Sequence, residues 1–171
     1  MLRLAGCILV ISGCAGFAGS ICRDGNTRLQ LLKQMRGIYE NMKYYIAYQK
    51  AAVPEALRRL SEKGQEPFAP VFKEIYQKMY TEGESFPLVW KECMESALEK
   101  TPLTREEKKL MLDFPSCLGF MEETAQAGAL DELLREVGLH IEELEKDKKG
   151  KNKMIMSFGV AAGVLVSILL L

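Results

Sequence analysis

One histidine, five cysteines and two knots of carboxylates are the side chains in this 171-residue chain whose types suit catalysis or metal binding. His140 stands alone and no CxxC pair occurs, so a zinc cluster fails on ligand number, and no clear nucleophile accompanies a histidine base. Cys7, Cys14 and Cys22 lie within one apolar run, while Cys93 and Cys117 are far from them and from each other. All five read as small packing residues with reduced thiols. Glu122 and Glu123, like Glu142, Glu143 and Glu145, are close neighbours along a helix, where adjacent side chains diverge by about 100°. That suits a solvated face rather than a shared proton. There is no GxxxxGK(S/T) phosphate loop, no GxGxxG turn and no HExxH helix. The sequence offers no active site and calls for no cofactor.

The basic residues hold a different chemistry. Arg23 and Arg28 follow a charge-free run at 4–22, and Lys146, Lys148, Lys149, Lys151 and Lys153 precede another at 154–171. Beside a membrane their counter-charge is an anionic headgroup, at about 1 kcal/mol per residue. Nucleic acid is the competing partner, and a basic run abutting an apolar one disfavours it. Trp90 and Tyr44, Tyr45 and Tyr48 read as core or interface aromatics rather than a platform for stacked bases.

The runs contain 19 and 18 residues. As helices they extend roughly 27–29 Å, close to the hydrocarbon thickness of a bilayer, and helix is the form that satisfies the backbone in lipid. Ser12, Gly16 and Ser20 line one face of the first run, and Gly159 and Gly163 form GxxxG in the second. Small residues at this spacing let helices approach closely, against each other or against partner spans. Both basic clusters belong to the central segment, which the positive-inside rule retains in the cytoplasm. Export as a lipoprotein is the alternative, with Cys7 and Cys14 in cleavage-box contexts. The apolar run continues past both cysteines, and Arg23 and Arg28 oppose export.

The central segment has helix signals throughout. Leu31, Met35, Ile38, Met42 and Tyr45 step by four and three, which is one face of a helix. Asp24-Gly25-Asn26 is the break expected before it. Pro54 and Glu55 open a second helix that Gly64 ends, and Phe68 to Met79 marks a third, stopped near Gly83. Ser85 is positioned to cap a fourth, with Trp90 inside it, and Thr104 with Glu107 makes a capping box for a fifth ending before Pro115. Leu130, Leu134, Val137, Ile141 and Leu144 define the last. The reading is all-α: a six-helix bundle at 24–150, between an N-terminal transmembrane helix at 1–23 and a C-terminal one at 151–171.

Over essentially its full length the chain resembles the stage III sporulation protein AB family of endospore-forming bacteria. The resemblance rests on the Arg-flanked N-terminal run, on Val53-Pro54-Glu55-Ala56-Leu57-Arg58-Arg59-Leu60, and on Gly83-Glu84-Ser85-Phe86-Pro87-Leu88-Val89-Trp90. Leu118-Gly119 with Gln126, and the C-terminal run behind its lysines, complete it. That family is similar to the six-helix cytoplasmic domains of type II secretion and type IV pilus platform proteins. The resemblance implies a reduced, non-enzymatic platform subunit with two spans in the mother-cell membrane facing the forespore. It also implies docking to a cytoplasmic secretion-type ATPase and to other membrane subunits of a channel, with a homo-oligomer left open. A membrane-tethered module binding a small ligand within the bundle is a further alternative, for which the sequence supplies no convergent polar pocket.

Overall fold

Leucines, methionines and tyrosines at steps of four and three wind the first long stretch into a helix that does not stop at the expected break. The computed structural model describes residues 2–64, 66–118 and 123–170, with side chains for most of 12–148 and for few positions beyond. Its regular structure, among the described residues, is helical, with six α-helices and no strand. Helix α1 runs Leu2–Lys43 as 42 uninterrupted residues, through Asp24, Gly25 and Asn26. One glycine costs a helix about 1 kcal/mol, and good formers on both sides propagate across it. The C-terminal end behaves likewise: α6, Glu123–Leu170, is 48 residues long and joins the last bundle helix to the lysines and the apolar run.

The chain divides into two compact units, Met1–Gln30 with Ile141–Leu171, and Leu31–His140. In the second, α1 passes into a π-helical turn, Tyr44–Tyr48, and Lys50 turns the chain with φ of 55°. Helix α2 (Val53–Lys63) then opens with Pro54 in its first turn, as expected. Gly64 ends it, in extended backbone with φ of −73°. Close approach rather than a left-handed turn demands glycine there, because a Cβ would sit 2.5 Å from the Leu60 carbonyl oxygen. Helix α3 (Phe68–Gln77) and a second π-helical turn, Lys78–Glu82, end at Gly83, whose φ of 68° is left-handed. Helix α4 (Phe86–Glu99) starts after Ser85 without any bond from the serine side chain; its carbonyl accepts from Leu88 and Val89 instead. The expected capping box at α5 (Arg105–Leu112) is present, with Glu107 Oε2 accepting from the Thr104 amide at 2.8 Å. A 3₁₀ turn, Phe114–Leu118, takes in Pro115 and leads toward α6.

The core of this unit is aromatic at its centre. Trp90, Tyr39, Phe68, Phe72 and Phe114 are fully buried. The Tyr39 and Phe114 rings stack at 4.7 Å, and Trp90 lies 4.8 Å from Phe114. The Trp90 indole N–H and the Tyr39 hydroxyl both donate to the Met111 carbonyl, at 3.0 and 3.2 Å. One backbone oxygen therefore ties α1 and α4 to the end of α5.

The described backbone is helical through both apolar runs, although many of their side chains lie outside the described residues. Among the described residues no helix is long and apolar enough to cross a membrane.

Candidate functional site

The bundle unit carries ion pairs and one buried thiol rather than a reacting constellation. Glu55 accepts two bonds from the Arg58 guanidinium, both at 2.9 Å, and one from Arg59 at 2.7 Å. Those bonds, Arg58's first, hold its carboxyl at about 2. Arg59 also donates to Gln49 and lies 5.3 Å from the Tyr45 ring centroid, so α2 is fastened to the turn that follows α1. Lys78 bonds Glu92 at 2.9 Å and reaches Glu74 at 3.4 Å; the bond to Glu92 raises its pKa. Burial pushes the Cys93 thiol up to about 11, where it is an inert packing group. No cluster of three or more His, Cys, Asp or Glu suited to a metal occurs among the described residues. A cavity of about 330 Å³ beside Tyr48 and Gln126 includes Lys43 and Asp131, which pair with each other.

The terminal unit is built differently. Gly13, Phe17 and Ile21 on α1, and Ala162, Phe158 and Met154 on α6, step by four in opposite directions and line one apolar groove of about 450 Å³ with Ala18 and Ile155. The two helix ends therefore run antiparallel. Ala18 is buried, whereas Phe17 and Phe158 are 72% and 69% exposed. The sequence reading missed this face. The signal that finds it is the four-residue step of large and small apolar residues, present in both runs.

Of the residues singled out from sequence, Ser12, Gly16 and Ser20 are exposed, and a Cβ on Gly16 would meet no atom within 4 Å. Gly159 and Gly163 lie in helical backbone, with surroundings outside the described residues. Arg23, Lys146 and Lys148 are exposed and Arg28 is half-buried; the side chains of Lys149, Lys151 and Lys153 are outside the described set, as are Glu122 and the side chain of Glu123. His140 is half-buried in α6, and Tyr44 and Tyr48 are exposed while Tyr45 is buried.

The family model for stage III sporulation protein AB matches residues 3–171. The chain belongs to that family. Stage III sporulation protein AB of Bacillus subtilis (strain 168) is 19% identical to it over 171 residues, covering 100% of both chains. A solved structure of stage III sporulation protein AB shares its fold, with a TM-score of 0.66 at 14% identity over 72% of this chain and 98% of that one. The segments that carried the resemblance have visible structural work in this family member. Glu55, Arg58 and Arg59 form the α2 ion network, Gly83 makes the left-handed turn, and Trp90 holds the core. Gln126 of α6 donates to the Leu118 carbonyl at 3.1 Å and so ties α6 to the end of the 3₁₀ turn.

Proposed function

We propose that this member of the stage III sporulation protein AB family is a structural membrane adaptor. Its two terminal helices lie in the mother-cell membrane facing the forespore, and its helical bundle, on the cytoplasmic side, docks a secretion-type ATPase and other channel subunits. The observation that carries the reading is the contrast between the units. The terminal pair exposes Phe17, Ile21, Met154, Phe158 and Leu165 along charge-free runs, whereas the bundle buries Trp90, Tyr39, Phe68, Phe72 and Phe114 and sets its exposed Tyr44, Tyr48, Tyr80, Leu88 and Leu139 among ion pairs and charged residues. Exposed apolar side chains spread along two helices suit hydrocarbon better than water. The charge-free runs at 4–22 and 154–171 match the length of a span, and the flanking arginines and lysines favour a cytoplasmic bundle. The exposed face of Ser12, Gly16 and Ser20 suits close approach by a partner span.

The docking role is tested by co-purifying the full chain, in detergent, with the sporulation ATPase. Retention of the ATPase that survives washing supports the reading. With both proteins folded, failure to associate at micromolar concentrations removes the docking role.

A further inference from the structure

We infer that the groove between the terminal helices binds one acyl chain of an anionic phospholipid, with the headgroup held by the basic turns at one end of the groove. The inference rests on the membrane reading above. Gly13, Ala18 and Ala162 give the groove its depth, and Phe17, Ile21 and Phe158 wall it, with no polar side chain among the residues that line it. Its volume of about 450 Å³ lies within the range of small-molecule sites. A Cβ on Gly13 would meet no atom within 4 Å, so a larger side chain there has room to enter the groove. An apolar slot beside hydrocarbon fills with hydrocarbon, because an empty one forfeits dispersion contacts along its walls.

Charge selects the lipid and its orientation. Arg23 lies two residues beyond Ile21, and Lys151 and Lys153 lie within one turn before Met154, so the basic cluster stands at the Ile21–Met154 end, with Arg3 the one basic residue beyond the Gly13 end. Beyond Gly13 and Ala162 both runs continue without charge. Across 23–30 and 145–153, seven lysines and arginines face three acids, Asp24, Glu145 and Asp147. That excess favours a phosphate diester carrying net negative charge over a zwitterion. A second copy of the span is the weaker occupant, since exposed Phe17 and Phe158 beside the small residues oppose the close backbone approach that helix pairing uses.

Native mass spectrometry of the full chain in detergent, with chain-matched phosphatidylglycerol and phosphatidylcholine in equal amounts, tests this. Phosphatidylglycerol adducts should exceed phosphatidylcholine adducts by about tenfold. The R23Q/K151Q/K153Q triple variant should bring the two lipids to near parity, and G13L should cut retention of both. If G13L does not fold by circular dichroism, A162M fills the same groove. Equal adducts on the parent protein, phosphatidylglycerol retention indifferent to a filled groove, or a dimer in place of lipid adducts would each overturn the site. Urea extraction of membranes keeps the two readings apart: release of the protein ends the membrane reading, whereas an embedded protein with no selective adduct ends this inference alone.

Discussion

Glu55 accepts hydrogen bonds from two arginines on the same side of α2, and its acidity follows from that arrangement. Its pKa falls from an ordinary 4.5 to about 2. A carboxyl depressed in the folded state contributes stability above its unfolded pKa, and that contribution fades as pH drops from about 4.5 toward 2. E55Q should therefore remove an acid-sensitive part of the unfolding midpoint across that window and leave its slope above pH 6 unchanged; denaturant melts at stepped pH measure it. Trp90 sets a second residue-scale expectation. W90F keeps a ring against Phe114 but leaves the Met111 carbonyl with Tyr39 as its donor, and should cost about 1–3 kcal/mol in chemical denaturation followed by circular dichroism. Thr104 caps α5 and its amide bonds the buried Glu107, so T104A should cost about 1–2 kcal/mol by the same measurement.

Among the elements, glycines that look alike in the sequence behave differently. Gly25 sits inside α1 with open space around it, so G25A should stabilise the helix by about 0.5–1 kcal/mol. Gly64 faces a backbone carbonyl at 2.5 Å and the Ala69 Cβ at 3.2 Å, so G64A should destabilise by about 1–3 kcal/mol. Thermal melts of both variants beside the parent decide the pair, and a shift of the same sign in both would contradict the packing described. The same elements show how far the sequence could be read. Helix starts at Pro54 and Thr104 and the stop at Gly83 were legible because caps and a left-handed φ are local, whereas Gly64 stops α2 as expected but through close approach to the Leu60 carbonyl. Two features were not. The passage of α1 through Asp24-Gly25-Asn26 depends on helix on both sides outweighing a weak local break, and the missing Ser85 side-chain cap depends on geometry that residue type does not specify. Of the site, the lysines and arginines were visible as a cluster, but the apolar groove required knowing that two runs more than 100 residues apart pair antiparallel.

At the scale of the whole molecule, one unit mixes ion pairs with scattered exposed leucines and tyrosines around a buried aromatic centre, and the other exposes Phe17, Ile21, Met154, Phe158 and Leu165 along charge-free runs. If lipid surrounds the latter, protease added outside intact cells should spare residues 31–140, while the same protease should cleave them once the cells are opened; immunoblotting with antibody to the bundle reads the result. Cleavage before opening would place the bundle outside and end the cytoplasmic assignment. The burial of Trp90 also gives the experimenter something. It is the chain's one indole, it is 0% exposed, and it stands in only one of the two units. Intrinsic ultraviolet emission should accordingly start blue and shift red only when the aromatic centre opens. Swapping detergent for vesicles should leave the spectrum unmoved, so the protein carries a fluorophore that reports one half and is blind to the other.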